Sequence, residues 1–142
     1  MSYIKQEKFL TMNKILIIED DKILLEMYKD KFAHEKFEVQ TASEGQEGIE
    51  KMKSFQPNIV LLDLIMPKVS GFEFLKLVKA DPSLSNVPII VLTNIYADAE
   101  DLVKNWGVEY FLLKANYTPE TIVVRVRETL AATLSKTNPQ TE

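Results

Sequence analysis

Four short apolar runs in this chain each stop at a residue able to serve a charged site. Ile15 to Ile18 precede Glu19-Asp20-Asp21, Val60 to Leu62 precede Asp63, Ile90 to Leu92 precede Thr93, and Phe111 to Leu113 precede Lys114. Runs of this length, separated by longer amphipathic stretches, mark parallel strands joined by crossover helices. Ligands of such sheets bind beyond the carboxyl ends of the strands. Acids, a hydroxyl and a cation from distant parts of the chain are therefore expected to converge at one end of a sheet.

The chain has 142 residues, of which 46% are hydrophobic, enough for one packed core and one domain. With 17 basic and 21 acidic residues, its net charge of −4 supplies no overall basic field to hold a nucleic-acid backbone or an anionic membrane. Cysteine is absent, which removes disulfides, thiolate nucleophiles and cysteine zinc sites. No apolar stretch approaches the roughly 20 residues that span a bilayer, and Lys5, Glu7 and Lys8 interrupt any signal-peptide core at the N-terminus. The expectation is a soluble, cytoplasmic domain with neither a nucleic-acid nor a membrane partner.

The pattern reads as five strand-helix units. The first strand is predicted over about Lys14 to Ile18 and its helix over Lys22 to Glu35, with Leu24, Leu25, Tyr28 and Phe32 on the apolar stripe. Phe37 to Thr41 alternates as an edge strand does. Ser43 then offers a cap for a helix that Pro57 ends. The third strand starts near Asn58. After Asp63, Pro67 and Gly71, a helix with Phe72, Leu75, Leu77 and Val78 packed inward runs to Asp81-Pro82. A fourth strand follows Pro88, and a shorter helix over Ala97 to Trp106 stops at Gly107, a residue suited to the left-handed conformation. A fifth strand leads to a last helix capped by Thr118, with Pro119 at its first position and Ile122, Val123, Val126 and Leu130 buried.

Glu19-Asp20-Asp21, Asp63 within Leu-Leu-Asp-Leu-Ile-Met-Pro-Lys-Val-Ser-Gly, Thr93 and Lys114, in that order on successive strand ends, resemble a response-regulator receiver domain over about Asn13 to Leu134. The resemblance implies a flavodoxin-like α/β fold: a doubly wound, five-stranded parallel sheet in the order 2-1-3-4-5 with five helices. It implies that Asp63 accepts a phosphoryl group from a histidine kinase or a phosphotransfer protein, a signalling event rather than enzyme turnover. Attack by a carboxylate on an anionic phosphoryl group requires a divalent cation, so Mg²⁺ is the implied cofactor, held by Asp20, Asp63, the backbone carbonyl of Ile65, and Glu19 directly or through water. Lys114 is implied as a charge clamp. Thr93 is implied to swing onto the phosphoryl group while Phe111 turns inward, switching the face of the fourth helix, fifth strand and fifth helix toward a downstream protein or a phosphorylation-dependent homodimer.

Two features depart from the family pattern near the site. Ala115 stands where receivers usually carry a proline joined through a cis bond, and Asn94 follows Thr93 in place of a very small residue. Ile65 and Ile95 are apolar at positions that in this family commonly orient an attacking water, which predicts a long-lived phosphorylated state. Asp21 reads as an outward-facing acid at a helix start, and His34, the only histidine, as a surface residue. Residues 1–12 read as a flexible arm whose removal changes melting little, and residues 135–142 as a polar tail. The competing readings are a receiver cut from a longer DNA-binding or hybrid-kinase protein, and a pseudo-receiver that binds partners without phosphorylation.

Overall fold

The computed structural model describes residues 12–66, 68–94, 101, 104 and 106–137. The N-terminal arm before Met12, Pro67, Ile95, most of the helix expected over 97–106, and residues 138–142 lie outside that set. The strands are β1 (Lys14–Ile18), β2 (Glu38–Ala42), β3 (Ile59–Leu62), β4 (Ile89–Thr93) and β5 (Tyr110–Leu113). The described α-helices are α1 (Lys22–His34), α2 (Gly45–Phe55), α3 (Gly71–Ala80) and α4 (Pro119–Thr137), with a 3-10 turn over Lys114–Asn116. All strands are parallel in the order β2-β1-β3-β4-β5. Of the helix expected over 97–106, Asp101 and Lys104 are described and helical, while Trp106 already lies in a turn.

Every residue of β3 and β4, and all of β1 after Lys14, is buried. A strand covered on both faces has no solvent side to alternate toward, which is why these three read as continuous apolar runs. The edge strand β2 alternates, as the sequence predicts, but begins at Glu38. Two apolar layers flank the sheet. One, under α1 and α4, joins Ile17, Leu25, Tyr28, Phe32, Leu92 and Val126. The other, under α2 and α3, joins Ile18, Met52, Leu62, Phe74 and Val91.

Two local expectations are corrected. Glu44, not Ser43, caps α2: its carboxylate accepts from the N–H groups of Gln46 and Glu47, while Ser43 donates its own N–H to Glu47 Oε1 at 2.7 Å. The longer acid can reach the helix start from an extended backbone and adds favourable charge there. On α3 the inward residues are Gly71, Phe74, Leu75 and Val78, spaced three, one and three apart, and Leu77 turns outward at 43% exposure. The Thr118 cap on α4 holds, with its Oγ1 accepting from Thr121 N at 3.2 Å, and Gly107 is left-handed at φ +70°. His34 is exposed.

Candidate functional site

The sheet registers carry the acids to one place. Ile18 is level with Ala42 on one side and Leu62 on the other. Each ladder then continues by one bond, from Glu19 N to Ala42 O and from Asp63 N to Ile18 O, both 3.0 Å. Glu19 and Asp63 thus leave neighbouring strands side by side, and both are buried. Asp20, the next residue, is exposed, yet one carboxylate oxygen from each of Glu19, Asp20 and Asp63 lies within 4.8 Å of the others. Asp21 faces outward as expected and caps α1, accepting from Ile23 N and Leu24 N at 3.0 and 3.1 Å.

The cation comes from the far side of the sheet. Lys114 Nζ lies 2.5 Å from Glu19 Oε1 and 3.4 Å from Asp63 Oδ2, so its tighter partner is the β1 acid rather than the β3 acid. Burial pushes Glu19 up from 4.5 to about 7. The hydrogen bonds from Lys114 and from Asp21 N–H pull the other way, and the charge of Asp63 adds to the rise. Burial also works against the Lys114 ammonium. Its bond to Glu19 and the charge of Asp63 outweigh that cost, and its pKa stands above the ordinary lysine value.

The loop after Asp63 is held by backbone contacts. Gly71 N donates to Leu64 O at 2.9 Å and Gly45 N to Val69 O at 3.0 Å. Ile65 N donates to Asp63 Oδ1 at 3.4 Å while its side chain is 61% exposed. Thr93 ends β4 fully buried, level with Leu113, so it and Lys114 leave adjacent strands. Phe111 is half-buried and packs on the layer beneath α3. The Lys114-Ala115 bond is trans, as no cis peptide bond occurs among the described residues, and the chain turns there into the 3-10 segment.

Three oxygen donors in one cluster suit a hard divalent cation, because such ions prefer carboxylate and carbonyl oxygens over nitrogen or sulfur. The residues present fit that group. A cavity of about 470 Å³ beside Asn13, Asn58, Arg127 and Leu134 lies at the opposite end of the strands, away from the acids. One further residue beside the acids is not marked as a site residue by its sequence pattern. Tyr28, part of the apolar stripe of α1, lines a gap with Glu19 and Asp63. Helical spacing alone assigns it to the core.

An α/β sheet of this order with acids on β1 and β3 and a lysine on β5 defines a class of signalling domain. The family model of the response regulator receiver domain matches residues 15–127, and the chain belongs to that family. It is 32% identical over 130 residues to the transcriptional regulatory protein CpxR homolog of Haemophilus influenzae, covering 89% of this chain and 54% of that protein. It is 30% identical over 121 residues to the response regulator ArlR of Staphylococcus aureus, covering 84% of this chain and 53% of that one. The chain spans about half the length of these relatives. Among solved structures, a CheY-like response regulator receiver domain protein from Methanospirillum hungatei superposes with a TM-score of 0.80 at 25% identity, covering 89% of this chain and 99% of that one. The chain is thus a receiver domain of a two-component response regulator. Among the described residues no helix is long and apolar enough to cross a membrane.

Proposed function

We propose that this domain takes a phosphoryl group from a histidine kinase or phosphotransfer protein onto Asp63, with Mg²⁺ held by Glu19, Asp20, Asp63 and the Ile65 carbonyl. The observation that carries the reading is the convergence of Lys114 Nζ on both Glu19 and Asp63 beside a three-carboxylate cluster. A carboxylate oxygen of Asp63 attacks phosphorus. The O–P bond forms as the N–P bond of the donor histidine breaks, and the imidazole nitrogen keeps the electron pair and takes up a proton. The bound cation would neutralise phosphoryl charge that otherwise repels the acid. Lys114 supplies the second positive charge, and its partly buried ammonium acts with little screening.

Thr93 then turns its hydroxyl to the phosphoryl group and Phe111 follows inward, which alters the face around β5 offered to a downstream protein or a second copy. The domain acts in the cytoplasm and does not itself bind nucleic acid. Asp63→Asn tests the acceptor. After incubation with Mg²⁺ and phosphoramidate, the unmodified protein should gain the mass of one phosphoryl group and the variant should gain none. Equal labelling would refute the assignment.

A second reading is favoured by the half-length match to a transcriptional regulatory protein: the downstream target is a DNA-binding domain of the same polypeptide. The full gene sequence tests it.

A further inference from the structure

The end of the sheet away from the acids carries a groove that phosphoryl transfer does not use. Asn13 extends β1 there by one bond, its carbonyl accepting from Glu38 N at 2.9 Å, and Lys14 N donates to Asn58 Oδ1 at 2.8 Å. The chain therefore enters β1 between the starts of β2 and β3. Asn13 and Arg127 line two hollows, one of about 470 Å³ with Asn58, Leu130, Thr133 and Leu134, the other of about 210 Å³ with Glu35 and Phe37. Arg127 donates to the carbonyl and carboxylate of Glu35 at 3.2 and 2.9 Å and stands 6.0 Å over the Phe37 ring. It is a fixed, neutralised wall between the hollows rather than a cation waiting for an anion.

Helix α4 overruns the sheet at this end. Ile122, Val126, Leu130 and Leu134 form one row at four-residue spacing, so they share a face of the helix. The first two are fully buried against Ile15 and Ile17, Leu130 is half-buried, and Leu134 is 71% exposed. The apolar row thus continues past the strands that cover its beginning. The segment before β1 is placed to cover the rest. Ile15 and Ile17 face the α4 side of the sheet while Leu16 and Ile18 face the other, and an extended backbone carries that alternation back to Asn13, Thr11 and Phe9. Asn13 lies on the α4 side as this parity requires, and Met12, of the opposite parity, is 43% exposed. Phe9 is four residues before Asn13, a reach of about 13 Å at about 3.3 Å per residue. Leu134 is seven residues beyond Arg127, about 10 Å along the helix. Polar Thr11 would fall beside Asn58 and Thr133, and the ring of Phe9 beside Leu130 and Leu134.

We propose that this groove is a docking site for the chain's own N-terminal segment, with Phe9 seated on Leu130 and Leu134 of the same molecule. The contact braces the overrunning end of α4. The sequence pattern offers the segment no anchor, because the groove exists only once α4 is packed on the sheet. A second copy carries the same phenylalanine. The segment tethered at Asn13, itself a wall of the groove, is present at a far higher effective concentration and takes the site first.

The test uses the full chain with Phe9→Ala, Leu134→Ala and the pair combined, and Leu10→Ala as the control of opposite parity. In thermal melts, Phe9→Ala and Leu134→Ala should each lower Tm by several degrees, and the double variant by little more than the larger single loss, since both remove one contact. Leu10→Ala should change little. In methyl spectra of the unmodified protein, the Leu130 and Leu134 signals should carry a ring-current shift that disappears in Phe9→Ala and is constant on dilution. Additive losses of Tm with methyl signals that Phe9→Ala does not move would overturn the proposal. A ring-current shift that fades on dilution would place the segment of a second copy in the groove and overturn the intramolecular contact.

Discussion

Gly71 opens α3 directly beneath the strand end that carries Asp63, and a methyl group added there has nowhere to go. A Cβ at Gly71 would lie 2.4 Å from the Asp63 carbonyl oxygen and 2.5 Å from Leu64 Cα. Against a closest real approach of 3.0 Å, the first contact is 3.0 − 2.4 = 0.6 Å too short. Both obstacles are backbone, so a rotamer change cannot relieve them. The φ of Gly71 is not positive, so alanine meets no conformational penalty and gains about 0.5–1 kcal/mol from helix propensity. Overpacking costs about 1–3 kcal/mol and falls on the unfavourable side of that gain. A net loss of about 1–2 kcal/mol corresponds to a fall in Tm of roughly 3–7 °C for a domain of this size.

Gly48 is the internal control, because its added Cβ would meet the flexible end of Ile18 at 2.8 Å and the ring edge of Phe74 at 3.1 Å. Gly48→Ala should lower Tm by less than half as much. Thermal melts of both variants, with Mg²⁺ titration by calorimetry, read the result. Gly71→Ala should also weaken Mg²⁺ binding, since relief of the overlap shifts the backbone of an expected ligand. A Gly71→Ala melt equal to or above that of the unmodified protein would refute the reasoning.

Glu19 is raised to about 7 from 4.5 by burial first, so the folded state favours its protonated form. That contribution to stability is full below about pH 4.5 and is lost as pH rises toward 7. In EDTA, melts of the unmodified protein should therefore fall across that window relative to Glu19→Gln, and a gap independent of pH would contradict it. Lys36 holds φ 73° just after α1, where Phe37 N reaches back to Phe32 O at 3.0 Å, a left-handed C-terminal motif normally served by glycine. Lys36→Gly should raise stability by about 0.5–1 kcal/mol in urea titration. Ile65, mostly exposed beside Asp63, offers no hydrogen bond to an attacking water. Ile65→Asn should accelerate release of phosphate from the labelled protein several-fold, measured as decay in Mg²⁺.

The buried strands were legible because burial on both faces leaves an unbroken apolar run, whereas their order was implied by the family resemblance; β2 and β3 each start one residue later than expected, at Glu38 and Ile59. The pairing of polar ends was legible for the same reason, since each run stops where the sheet meets the site. The cap of α2 was not. Serine is the commoner cap, but here Glu47 engages Ser43 and Glu44 reaches the helix start. Nor was the inward face of α3: five apolar residues in seven, Phe72, Phe74, Leu75, Leu77 and Val78, fit more than one stripe, and contact with β3 and β4 selects Phe74 over Leu77. The preference of Lys114 for Glu19 and the place of Tyr28 depend on distances across the sheet, which no local pattern records.

The strand order acts as a ruler. Lys114 leaves β5, and Glu19 leaves β1 three intervals away, about 14 Å at about 4.8 Å per interval. Between them stands Asp63 on β3. Lys114, the first residue of the 3-10 turn, reaches Glu19 with its four-carbon stem. A cation one methylene shorter would stop before Glu19. The length of one side chain is thereby matched to a count of strands, so the charge balance of the site is set by the spacing of the sheet.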